Sequence, residues 1–274
     1  MHALPFVLAL ATAVAMAPLT LRALLAGGHV RPNYRKRPLV FPFGVLSVAA
    51  ALVALIPLSL VREFDESVAF FPVGPRITFY VVGVALLGLI DDTLGGGQRG
   101  WRGHGGAVLR GELSTGALKA AGSLGLALYA LSHTGEDVGR YLLAVAVLVL
   151  ATNLFNLLDL RPGRTGKAFV LLGAGLSAGT ASLKPLWSLG LFIAPALVAG
   201  VYDLRERALL GDTGANLVGA LAGLWIVLSL STLGQGIALG VILALTVYGE
   251  LRSISALVER TPGLRGLDSL GRPR

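Results

Sequence analysis

Nine long apolar stretches divide this chain, at residues 2–26, 39–61, 74–90, 113–132, 139–158, 168–183, 185–201, 213–230 and 233–251. A helix needs roughly 20 apolar residues to cross a hydrocarbon core of about 30 Å. In lipid, each spanning segment must also satisfy its own backbone hydrogen bonds, which favours helices. The pattern predicts an all-α integral membrane protein, a polytopic bundle of about nine transmembrane helices filling residues 1–251. Composition agrees: the chain is 54% hydrophobic and 14% charged, with a mean hydropathy of +0.75. That leaves too little polar surface for a water-soluble domain of 274 residues. The stretch 2–26 is too long, and begins with too little positive charge, for a cleaved signal peptide, so it reads as the first span. With no cysteine in the chain, disulfides and thiolate chemistry are excluded.

The net charge of +8 would suit nucleic acid if read alone, but its distribution follows the positive-inside rule instead. With the N-terminus outside, the inside loops are 27–38, 91–112, 159–167 and 202–212, followed by a cytoplasmic C-terminal tail, 252–274. Those segments hold seventeen Lys and Arg, whereas the outside loops and their edges hold four: Arg62, Arg76, Arg140 and Lys184. The orientation points to the cell (inner, cytoplasmic) membrane. Leu251, Ile254, Leu257 and Val258 recur at helical spacing at the start of the tail, as in a segment lying along the interface. Glycine and alanine throughout the spans suit close helix packing, and a homodimer is left open.

Three polar clusters fall on the inside face. Charged groups near a bilayer are costly and mark function when they recur together. Asp91-Asp92 ends the third span, where the helix dipole is already negative, so the pair needs a compensating cation. Lys119, one to two turns into the fourth span, is one candidate; a divalent metal is another. Asn153, Asn156 and Asp159 recur every third residue and so form one polar stripe. Buried amides that only bridge helices would account for the asparagines but not for Asp159. Gly211-Asp212-Thr213-Gly214-Ala215-Asn216 opens the eighth span, with Asp212 placed as an N-cap and a helix N-terminus suited to bound phosphate. In the first inside loop, Arg35 and Lys36 could anchor lipid headgroups or hold an anionic substrate. The glycine-rich loop 91–112 carries Trp101 and a lone His104, which read as an interfacial anchor and an incidental histidine.

Taken in order, Pro32-Asn33-x-Arg35-Lys36, Asp91-Asp92, Asn153-x-x-Asn156-x-x-Asp159 and Gly211-Asp212-x-Gly214 resemble the motifs of the polyprenyl-phosphate glycosyl-1-phosphate transferases. Relatives in that family include the phospho-N-acetylmuramoyl-pentapeptide and polyprenyl-phosphate N-acetylhexosamine-1-phosphate transferases. The resemblance runs from Pro32 to Gly219. It implies Mg²⁺-dependent (or Mn²⁺-dependent) transfer of sugar-1-phosphate from a nucleotide-sugar, a UDP-sugar by preference, to polyprenyl phosphate, releasing a nucleoside monophosphate. By the same resemblance Asp212 binds the metal with Asp92, and Asp91 or Asp92 positions or deprotonates the acceptor phosphate. Asn153, Asn156, Asp159 and Asn216 line the substrate and metal site, Lys119 contacts phosphate, and Arg35 and Lys36 bind substrate.

The chain departs from the family pattern in three places. Leu160-Arg161-Pro162-Gly163 follows Asp159 where the family has glycine and a second acid. The histidine motif of the last cytoplasmic loop and a tenth span have no counterpart. These departures bear on the sugar-recognition end. They keep open a non-catalytic relative that binds polyprenyl phosphate or a partner protein. A small transporter is the remaining alternative, and it would place charge at mid-membrane.

Overall fold

The computed structural model describes residues 2–65, 74–95, 114–132 and 137–273. Twelve helices and one hairpin run through them: α1 (Leu4–Ala26), β1 (Val30–Pro32), β2 (Pro38–Val40), α2 (Val45–Phe64), α3 (Pro75–Leu94), α4 (Thr115–Leu131), α5 (Val138–Leu158), α6 (Arg164–Thr180), α7 (Lys184–Ser188), α8 (Gly190–Leu204), α9 (Gly211–Ser229), α10 (Thr232–Leu251), α11 (Ile254–Arg260) and α12 (Pro262–Ser269). Side-chain caps start several of them, with Ser114 accepting from the Ala117 amide and Asp137 from the Gly139 amide.

Six helices, α1, α2, α3, α5, α9 and α10, are long and apolar enough to cross a bilayer, which makes this a multi-pass membrane protein. The count is nearer six than the nine expected. α4 and α6 have 17 residues each and α8 has 15. At 1.5 Å per residue these reach roughly 25 Å or less, short of the hydrocarbon thickness. The stretch 185–201 is not one helix but two, because the backbone leaves helical geometry at Leu189, between α7 and α8.

α9 is the central helix. Its most apolar window is 83% buried, against 11% for α10 at the edge. It packs on α5 and α3, and α3 packs in turn on α4, while α1, α2 and α8 form a second group. Glycines allow this closeness. A Cβ on Gly219 would stand 2.7 Å from the Cα of Thr152, and one on Gly88 would strike the backbone of Asp212 and Thr213. Since Gly88 lies one turn before Asp92, the end of α3 is pressed against the start of α9.

Two chain segments finish the end of the bundle where α3 and α5 stop and α9 starts. In the hairpin, the Asn33 side-chain oxygen accepts from the amides of Arg35 (2.8 Å) and Arg37 (3.0 Å), closing a tight turn. Past β2, the Leu209 amide donates to the Val40 carbonyl, and the Phe43 and Gly44 amides donate to Leu209 and Leu210. The hairpin is thereby tied to the segment leading into α9.

The tail folds back onto the start of α6 rather than trailing away. Arg164 donates to both carboxylate oxygens of Asp268 (2.9 and 3.2 Å) and to Ser255 (3.0 Å). Arg272 donates to Asp268 and to the Pro162 carbonyl (2.6 Å), and Lys167 donates to the carbonyls of Leu267, Asp268 and Leu270 at the end of α12. Burial alone would raise the Asp268 carboxyl, but hydrogen bonds and charge from Arg164 and Arg272 outweigh it and hold it at about 2. A depressed carboxyl contributes stability that is complete above its ordinary range and lost as pH falls through the folded value. Hydrogen exchange over residues 262–273 is therefore expected to stay protected from pH 7 to about 4 and to open toward pH 2. Asp268→Asn should open the tail at pH 7, since a buried guanidinium without its partner costs about 3 kcal/mol. Free exchange in the unaltered protein at pH 7 would contradict this docking.

Candidate functional site

Four helices deliver the central cluster. Asp91 comes from the last turn of α3, Lys119 from the second turn of α4, Asn156 from the end of α5 and Asp212 from the first turn of α9. The Lys119 ammonium donates to Asp91 (2.8 Å) and to Asp212 (2.6 Å). With its amide oriented to match its neighbours, Asn156 accepts from Lys119 (3.0 Å) and donates to the other oxygen of Asp212 (3.1 Å). An ammonium has three donors, and all three are used here.

Asp92 does a different job. One of its oxygens accepts from the Asp212 amide (2.9 Å), and the other accepts from the amide (2.9 Å) and hydroxyl (2.7 Å) of Thr213. A carboxylate from α3 thus caps α9 from outside, satisfying donors that a helix start leaves unpaired. This corrects the expectation that Asp212 is the N-cap. Asp212 lies within the first turn of α9, and the residue before the helix, Leu210, makes no side-chain cap. The same geometry answers the electrostatic problem posed by Asp91-Asp92, since one carboxylate meets an ammonium and the other a positive helix end.

Beside the cluster opens a cavity of about 660 Å³ whose walls include Asp91, Asp92, Asp159, Asp203 and Asp212. Asp159 follows the last turn of α5 and accepts from the Thr165 hydroxyl (3.1 Å). Burial first, and then the charge of Asp203, pushes its carboxyl well above the usual range. Asp203 accepts from the Gly163 amide (2.6 Å), at a left-handed glycine that turns the chain into α6. A second cavity of about 670 Å³ has Arg76, Tyr141 and Gln235 on its walls but no carboxylate among its described residues. Of these two cavities, the first is the one with carboxylates on its described walls.

The remaining expected residues are dispersed. Arg35 pairs with Glu206 (3.6 Å) and donates to the Pro273 carbonyl, and Lys36 occupies a left-handed turn position at φ 61. Neither lines the cavity; Arg31, Pro32, Asn33 and Tyr34 of the same loop do. Asn153 lies one turn deeper on α5 than Asn156 and is not a cavity wall. Asn216 lies one turn below Asp212, fully buried, with neither amide atom paired among the described residues. Trp101 and His104 fall outside the described residues.

Residues to which sequence reasoning gave no role of their own are Arg31, Thr213, Asp203 and Glu206. Glu206 is buried and accepts from Asn33 (3.1 Å) and Tyr34 (3.5 Å), which pins the first loop to the segment before α9. An acid followed by a basic residue in a short loop carries no local signal of such a role. Asp203 could have been found, because it is an acid just past the end of an otherwise apolar stretch, as Asp91 and Asp159 are.

Among the described residues no three Asp, Glu or His side chains are grouped for a metal ion. Asp91 and Asp212 nevertheless converge on one cation, the Lys119 ammonium, with an amide oxygen beside them. Magnesium takes one or two carboxylates, with water and substrate phosphate completing the shell, so this hard-oxygen set fits it. Asp92 fits less well, because both of its oxygens are engaged by α9.

Neither the protein-family models nor the curated proteins contain a match to this chain.

Removing Lys119 should leave two half-buried carboxylates facing each other. Lys119→Met is expected to cost about 3 kcal/mol, and Asp91→Asn in the same chain to recover part of it. Thermal unfolding in detergent checks this. A neutral Lys119→Met, or a double variant no better than the single one, would show that the cluster carries no such charge balance.

Proposed function

We propose that the protein transfers sugar-1-phosphate from a nucleotide-diphosphate sugar, preferably a UDP-sugar, to polyprenyl phosphate, releasing a nucleoside monophosphate. The reading is supported above all by the Asp91–Lys119–Asp212 arrangement, two carboxylates from different helices sharing one cation beside a cavity at the end of a membrane bundle. Both substrates are anionic, so in-line attack between them needs positive charge held in place before they meet.

In this reading Asp91 and Asp212 would hold Mg²⁺, which would supply Lewis-acid polarisation and charge neutralisation at the diphosphate. Lys119 turns its ammonium from the carboxylates to the phosphate oxygens, Asn156 keeps Asp212 oriented, and Asp92 keeps the start of α9 fixed. Asp159 lines the nucleotide side of the cavity. The reading also takes α4, α6 and α8, although shorter than the hydrocarbon core, as crossing with the six longer helices where the bilayer thins around them. The N-terminus is then outside and the cavity opens at the cytoplasmic face of the cell membrane, where a soluble nucleotide-sugar meets a lipid phosphate.

One observation favours a non-catalytic lipid-phosphate-binding relative instead: Lys119 spends all three donors inside the cluster. Turnover separates the two readings. Purified protein in nanodiscs with undecaprenyl phosphate, Mg²⁺ and a panel of UDP-sugars is expected to release UMP. Asp212→Asn should reduce that release at least about a hundredfold. No turnover with any donor, together with lipid-phosphate binding in the unaltered protein, would exclude the transferase.

A further inference from the structure

The cavity is acidic at its floor, and an anionic ligand has no reason to enter it unless its rim supplies the opposite charge. Two arginines on the walls do so, Arg31 and Arg161. Each guanidinium lies over an aromatic ring, Arg31 at 3.8 Å from the centre of Phe41 and Arg161 at 4.3 Å from that of Tyr34. Stacking fixes the plane of a guanidinium and leaves its in-plane N–H groups for hydrogen bonds. Arg31 donates to the Asp92 carbonyl (3.3 Å) and has no carboxylate at ion-pair distance among the described residues. Arg161 donates to Glu259 of α11 at 2.7 Å.

That last contact is informative because of where it lies. Arg161 and Glu259 keep 26% and 56% of their side-chain surface in solvent, while Arg164 and Asp268 nearby keep 7% and 12%. A solvated pair is weak and exchangeable, whereas the buried pair holds the tail in place. Glu259 therefore presents a carboxylate to Arg161 on a segment that stays docked without it.

We propose that Arg31 and Arg161 form an anion-binding rim for phosphate oxygens, and that Glu259 is the resident carboxylate such a ligand displaces. Arginine forks match phosphate geometry, which favours this ligand class. The choice of phosphate, a soluble diphosphate or a lipid phosphate headgroup, rests on the transferase reading; the rim itself rests on the contacts above.

The test is equilibrium binding to full-length protein in nanodiscs, with EDTA present and no nucleotide-sugar, so that neither metal nor turnover contributes. Inorganic pyrophosphate is the probe in one arm, and short-chain phosphatidic acid against phosphatidylcholine in the other. Arg161→Gln and Arg31→Gln are expected to weaken binding about tenfold or more, and Glu259→Gln to tighten it several-fold. Glu259→Gln leaves both arginines intact and moves affinity the opposite way, so misfolding cannot imitate the pattern. Arg161-dependent binding in the pyrophosphate arm identifies a soluble diphosphate, and in the phosphatidic acid arm alone a lipid headgroup. No binding in either arm, binding indifferent to Arg161, or weaker binding in Glu259→Gln overturns the proposal. Rim binding by a protein that turns over no donor would keep this inference and refute the transferase; turnover with Arg161-independent binding would do the reverse.

Discussion

Carboxylates gathered at one end of an apolar bundle must be neutralised where they stand, and the way this is done here joins most of the helices that form the site. Asp91 meets the ammonium of Lys119, which ties α3 to α4. Asp212 meets the same ammonium and the Asn156 amide, which ties α9 to α4 and α5. Asp92 meets the amides at the start of α9, which ties α3 to α9 a second time. A bundle whose helices attract one another only by packing gains from such contacts a defined register at one end. The arrangement also concentrates reactive groups at that end, so one requirement serves both the fold and the candidate chemistry.

A division of labour follows around the cavity. The floor is acidic, with Lys119 as the cation that Asp91 and Asp212 share. The walls belong to loops that are themselves anchored from behind, the first by Glu206 and the segment around Pro162 by Asp203 and Arg272. The tail contributes two contacts of different strength, one buried through Asp268 and one solvated through Glu259. Rigid support and an exchangeable charge thus sit on the same short segment.

Much of this was legible in the sequence, for identifiable reasons. Apolar runs of span length are a strong signal, so α1, α2, α3, α5, α9 and α10 each coincide with an expected stretch to within a few residues at the ends, α1 alone lying wholly inside its own. The shorter α4, α6 and α8 were harder to judge, because hydropathy registers apolar residues and not where the backbone bends, as it does at Leu189. Asp91, Asp92, Lys119, Asn156, Asp159 and Asp212 stood out as polar residues at the ends of apolar runs, and all but Asp159 join the connected cluster. Their partners did not stand out. That Asp92 caps a helix 120 residues later depends on Gly88 letting α3 approach α9, a fact of packing that no local pattern carries. Arg35 and Lys36 drew notice as a basic run, yet Arg31 is the loop's cavity-lining cation, because the turn closed by Asn33 directs the later residues away.

Asp91 and Asp212 define one position for positive charge, held by Lys119 and, in the proposed reading, open to a divalent cation. Titrating purified protein with Mn²⁺ and following bound metal by electron paramagnetic resonance tests it directly. Affinity should fall sharply in Asp91→Asn and in Asp212→Asn, and rise in Lys119→Met, where the competing ammonium is gone. Mn²⁺ binding that is absent, or unchanged in all three variants, would contradict the claim that these two carboxylates share a single cation site.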